Sequence, residues 1–78
     1  MPPTLTIVII DPDRDSRKSI ESIISPHSDK IIINGSADNI QDGLRFIQST
    51  HPIVTILAVN SLEQGVRDIQ SIFSVAKQ

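Results

Sequence analysis

Asp11 and Asp13 stand two residues apart, directly after an apolar run, and are the side chains best placed to do chemistry. Paired carboxylates at the end of a buried strand suit a hard cation such as Mg²⁺, which takes oxygen ligands and keeps several waters. A phosphoryl-transfer site would also need a nucleophile facing that cation. The natural place for one is the end of a later apolar run, Ile53 to Val59, which closes on Ala58-Val59-Asn60-Ser61 and offers no acid. Ala58 has no oxygen with which to attack phosphorus or bind a metal. Asp11 and Asp13 are thus expected to form at most a residual acidic metal pocket. Their plainer role is to cap the helix that follows, where a carboxylate near the free amides contributes about 0.3–1 kcal/mol. His27 follows Pro26 and His51 precedes Pro52, so both read as solvated turn residues, in no metal-ligand pattern. The chain has no cysteine, which removes disulfides, thiolate sites and thiol nucleophiles.

Three apolar runs alternate with three helical patterns. The runs are Leu5 to Ile10, Lys30 to Asn34 and Ile53 to Val59. Their continuous, β-branched apolarity predicts strands covered on both faces, as in a parallel sheet. Asp13 or Asp15 caps a first helix with the stripe Ile20, Ile23 and Ile24, and Pro26 stops it. Asp38 with Gln41 forms a capping box before Ile40, Leu44 and Ile47, with Pro52 beyond the end. Ser61 with Gln64 repeats the box before Leu62, Val66, Ile69, Phe73 and Ala76. The expected fold is a three-layer α/β domain, βαβαβα, with a parallel sheet in the order 2-1-3. Its 78 residues make one domain, with residues 1–4 and 77–78 expected to fray.

The order of these segments resembles a receiver domain of the response-regulator family. Ile7-Val8-Ile9-Ile10-Asp11-Pro12-Asp13-Arg14-Asp15-Ser16-Arg17 is similar to the receiver opening: hydrophobic strand, acidic cluster, then an arginine a turn into the helix. Gly35-Ser36-Ala37-Asp38-Asn39, followed by Gly43-Leu44, is similar to the segment entering the second receiver helix. His51-Pro52 through Asn60 matches the stretch that ends on the phosphoacceptor, with Ile53 and Ala58 where two aspartates are expected. The resemblance spans residues 5–76. It implies that Asp11 corresponds to the first acid of the pocket and that Pro12 falls on the metal-contacting second, with Asp13 a partial replacement. Ala58 falls on the phosphoacceptor, and Asn60 on the residue lending a carbonyl to the metal. The switch hydroxyl and lysine of receivers lie on fourth and fifth strands, so the chain reads as a pseudo-receiver truncated after its third helix. No cofactor is then expected, and Mg²⁺ only at the residual acidic pocket of Asp11 and Asp13.

Two other resemblances are thinner. Asp11-x-Asp13-x-Asp15 opens like an EF-hand loop, but Ser16 stands where glycine belongs and Ser22 where the bidentate glutamate belongs. Asp11-x-Asp13 is also similar to the first motif of haloacid-dehalogenase phosphatases, and Ser36 to their second. That family's lysine and later acidic pair have no counterpart. A small phosphoryl-transfer enzyme using Asp11 and Asp13 is the alternative to a binding function.

Seven basic residues against nine acidic ones, two phenylalanines and no tyrosine or tryptophan offer neither a basic patch nor a stacking platform, so nucleic acid is not an expected partner. Arg14, Arg17 and Lys18 read as a solvated helix face. No targeting segment or membrane-length apolar stretch is visible, and a cytoplasmic protein is expected. Under the 2-1-3 order the third strand is a sheet edge, with one set of its side chains uncovered, either Ile53, Thr55, Leu57 and Val59 or Val54, Ile56 and Ala58. Exposed apolar edges are templates for association. The expected function is a phosphorylation-independent protein-interaction module in signalling or assembly, non-enzymatic, that dimerises or docks on a protein partner. The surface would be the third strand (Ile53, Val54, Thr55, Ile56, Leu57, Val59) and the face of the first helix.

Overall fold

Apolar runs covered on both faces must lie side by side, with the capped helices as crossovers above and below them. The computed structural model describes residues 4–59 and 61–76 and has this arrangement. Its elements are β1 (Leu5–Ile10), α1 (Arg14–Ile24), a 3₁₀ turn (Ser25–His27), β2 (Ile31–Ala37), α2 (Ile40–Thr50), β3 (Val54–Leu57) and α3 (Leu62–Ala76). All pairings are parallel and the strand order is β2-β1-β3. The fold is the flavodoxin-like three-layer α/β arrangement that the pattern predicts.

β1 is the central strand, and Ile7, Val8, Ile9 and Ile10 are all buried. Successive side chains point to opposite faces. Val8 and Ile10 join Ile47 of α2 in the main core, with Ile40, Phe46, Leu57, Ile72 and Val75 packed around them. The α2 stripe therefore faces the sheet as predicted. Ile7 and Ile9 point to the other face, where α1 lies. Two glycines let α2 come this close. A Cβ on Gly43 would enter Ile10, and one on Gly35 would enter the Phe46 ring.

Several details depart from the sequence expectations. β2 does not end at Asn34. It bulges there, pairing Ile33 with Ile7 and Gly35 with Val8, and continues to Ala37 opposite Ile10. The weak strand formers Gly35 and Ser36 are held by pairing with the buried β1, which overrides local preference. α2 is capped by Asn39, one residue after the expected Asp38: Asn39 Oδ1 accepts the Asp42 N–H at 2.8 Å. The longer β2 carries the chain one residue further before it can turn. β3 is shorter than its apolar run, four residues instead of seven.

In α3 the expected stripe is the outer one. Ile72 and Val75 pack on the core, whereas Val66, Ile69 and Phe73 are 47, 46 and 62% exposed. The side chain of Leu62 lies outside the described residues. Two apolar stripes sit about 100° apart on this helix. Buried Gly65 selects the inner one, because its lack of a side chain seats the first turn against Val59. On α1, Ile20 and Ile24 are half-buried and Ile23 is 72% exposed, so the stripe is narrower than the pattern implies. Pro26 ends α1 as expected, but inside the 3₁₀ turn that follows it.

Candidate functional site

In open α/β sheets ligands gather beyond the carboxyl ends of the strands, where the crossovers change direction. Here α1 carries the chain from β1 to β2, and α2 carries it back across β1 to β3. The switch point therefore lies between the ends of β1 and β3. The residues that follow the three strands are Asp38, Asp11 and Ala58, in that order across the sheet. The ladder runs one step further on both sides of β1: the Asp11 N–H donates to the Ala37 carbonyl and the Ala58 N–H to the Ile10 carbonyl, each at 2.9 Å.

Asp11 is the only buried charged residue among those described. Its Oδ1 accepts the Asp13 N–H at 2.9 Å, closing the turn out of β1. Asp13 is the N-cap of α1, as one of the two sequence readings has it. Its Oδ1 accepts the Asp15 N–H at 3.0 Å and its Oδ2 the Ser16 hydroxyl at 3.2 Å. Arg17, read from sequence as a solvated side chain, reaches back one turn and donates from Nη1 to the Asp11 carbonyl at 2.6 Å. The acidic opening is thus a closed local network, with carboxylates, amides and guanidinium all directed at the turn and the helix start.

This network fits poorly to a cation. Three of the four carboxylate oxygens of Asp11 and Asp13 accept hydrogen bonds within the turn. Among the described residues no group of three or more His, Asp or Glu side chains is placed to hold a metal. Ala58, half-buried at the end of β3, brings only a methyl group to the switch point. Asn60, the remaining residue of the expected pocket, lies outside the described residues.

A crevice of about 410 Å³ does occupy the switch point. Its floor is Ile10, Leu57 and Ala58, and its rim carries Asp38 from just before α2 and Gln64 and Asp68 from the first two turns of α3. Neither Asp11 nor Asp13 lines it, since their side chains turn toward α1. Asp38, which the sequence suggested as a helix cap, instead accepts the Asn39 side-chain N–H at 2.6 Å at the crevice edge. Its place at a strand end was hidden by the bulge in β2. Ser61 plays its expected part, its Oγ accepting the Gln64 N–H at 3.2 Å. The crevice can hold a polar group between amides and carboxylates. Among the described residues its lining presents no nucleophile paired with a base.

His27 and His51 are exposed turn residues. His51 ends α2 in a left-handed conformation, φ 48° and ψ 62°. No helix among the described residues is long and apolar enough to cross a membrane.

Of the expected interaction surface, Ile53, Val54 and Val59 are exposed by 64, 39 and 47%, and Thr55, Ile56 and Leu57 are half-buried. Thr55 and Leu57 share a face with Val8 and Ile10, their partners in register, so α3 partly covers them. Val54 and Ile56 pair with Ile7 and Ile9 on the α1 side. A groove of about 320 Å³ runs between β3 and α3, lined by Thr55, Leu57, Val59, Ile69, Ile72 and Phe73.

No protein family, curated protein or solved structure matches the chain.

Proposed function

We propose that this chain is a protein-interaction module on a receiver-like scaffold, working without phosphorylation and without catalysis. The observation that carries the reading is how the strand-end carboxylates are used. Asp13 caps α1 and Asp11 closes the turn before it, while the β3 tip, where a phosphoacceptor would have to stand, is Ala58. Apolar side chains lie open along β3 and α3, and an exposed apolar patch of that kind usually marks a contact with another protein. The order and spacing of the segments, together with the β2-β1-β3 sheet, support the receiver-like description.

The test is a phosphoryl analogue. Beryllofluoride with Mg²⁺, or acetyl phosphate, is titrated into the protein while backbone amide signals are followed by NMR. The reading expects the amides of Asp11, Asp13 and Ala58 to stay in place and the intact mass to stay unphosphorylated. Saturable shifts centred on Asp11, or a phosphoryl adduct on the chain, would overturn it.

A further inference from the structure

The two edges of the sheet differ. β2 is guarded in the ways that discourage edge-to-edge pairing: a bulge at Asn34, Gly35 and Ser36 in the strand, and the exposed Lys30 just before it. β3, four residues long and preceded by Pro52, has neither a bulge nor a charged residue within it. From Ile53 to Val59 there is no charge, proline, glycine or register shift, so its outward backbone groups form an open template. Apolar side chains flank this template on both sheet faces, Val54 and Ile56 on one and Leu57, Val59, Ile69 and Phe73 on the other.

Resting on the interaction-module reading, we infer that the occupant of this edge is a second copy of the chain, with its β3 laid antiparallel to the first across a two-fold axis at Ile56. An uncharged apolar edge carries no charge pattern with which to select a foreign partner, and it is complementary to itself. The size is also suitable. Ile53, Val54, Val59, Val66, Ile69 and Phe73 are between 39 and 64% exposed, Phe73 alone offering on the order of 100 Å², and the adjoining backbone adds to this. A standard interface takes about 800 Å² per partner.

The existing ladder sets the register. The Ala58 N–H is directed at β1, and in a β-strand alternate residues direct their backbone groups to opposite sides. Within Val54 to Ala58, Ile56 and Ala58 therefore face β1 and Thr55 and Leu57 face outward; the alternation breaks at Ile53, whose N–H also donates to β1, to the Thr6 carbonyl at 2.9 Å. An antiparallel neighbour must pair Thr55 with Leu57 of the second copy by hydrogen bonds. Ile56 then stands opposite its own equivalent in a close, non-hydrogen-bonded pair, about 4.5 Å between Cα atoms. Val54 faces Ala58 of the second copy, so the small residue at the β3 tip leaves room for a larger one. The two α3 helices meet on one face and close the groove over Phe73 and Ile69.

Sedimentation equilibrium and cysteine cross-linking test this, on a chain with no native cysteine. The wild type is expected at twice its 8.6 kDa chain mass. Ile56→Cys should oxidise to an intermolecular disulfide, since the Cα separation falls within the disulfide range. Ser19→Cys on the exposed side of α1 should not. Val54→Lys should give a folded monomer by circular dichroism and sedimentation. A wild-type monomer would overturn the assignment whatever the variants do. So would a dimer in which Ile56→Cys cross-links no better than Ser19→Cys. Either failure concerns the second copy alone, because the phosphoryl-analogue titration is decided at Asp11 and Asp13, which follow the central strand and lie outside the β3 edge.

Discussion

Replacing Asp13 separates a capping carboxylate from a metal-binding one. In the structure Asp13 satisfies one free amide of α1, the Asp15 N–H at 3.0 Å, and holds the Ser16 hydroxyl at 3.2 Å. Truncating an N-cap aspartate to alanine typically costs about 1 kcal/mol. The lost negative charge at the helix start adds about 0.3 kcal/mol for a side chain as exposed as this one. For a domain of this size 1 kcal/mol moves Tm by about 4–8 °C, so Asp13→Ala should melt roughly 5–10 °C lower than wild type. Asp13→Asn keeps the acceptor oxygen and loses only the charge, a drop of about 1–3 °C. The assay is thermal melting followed by far-ultraviolet circular dichroism, at one fixed protein concentration because association would shift Tm. Each variant is melted with and without MgCl₂. A bound cation stabilises the fold by mass action, by about 2.7 kcal/mol at a hundredfold excess over Kd. Capping predicts no response to Mg²⁺ and the order wild type, Asn, Ala. A wild-type gain in Mg²⁺ that both variants lose equally would refute the reasoning and return Asp13 to a metal site.

Further substitutions at Gly35, Ile23, Ile47 and His51 test the packing that positions the strand ends. Gly35→Ala drives a methyl group into the Phe46 ring and should cost about 1–3 kcal/mol in urea unfolding; adding Phe46→Leu should recover much of that, giving a clear coupling energy in the double-mutant cycle. Ile23→Gln, on a side chain 72% exposed, should change stability by less than about 0.5 kcal/mol, whereas Ile47→Ala in the core should cost about 2–5 kcal/mol. His51 sits at φ 48°, a conformation that costs most L-residues about 1–2 kcal/mol. His51→Gly should therefore raise the urea midpoint and His51→Val should lower it.

Strand and helix order could be read from the sequence because it depends on local quantities. The β-branched runs at Leu5, Ile31 and Ile53, the capping residues Asp13 and Ser61 and the prolines at 26 and 52 each act within a few residues of themselves. The parallel β2-β1-β3 sheet follows from that alternation and from the hand of the crossovers. The site's lack of an acid at Ala58 was equally plain, since it is a matter of residue type.

What only the tertiary structure decided are the choices between near-equal local alternatives. Two apolar stripes on α3 are separated by one helical step, and the contact of Gly65 with Val59 settles which of them faces the sheet. The bulge at Asn34 arises because pairing with the buried β1 is worth more than the poor strand preference of Gly35 and Ser36, and it moves the helix cap from Asp38 to Asn39. Whether Asp11 and Asp13 face the crevice or their own helix depends on the direction in which the chain leaves β1. Residue types set which chemistry is available, but long-range packing decides which side of an element meets it.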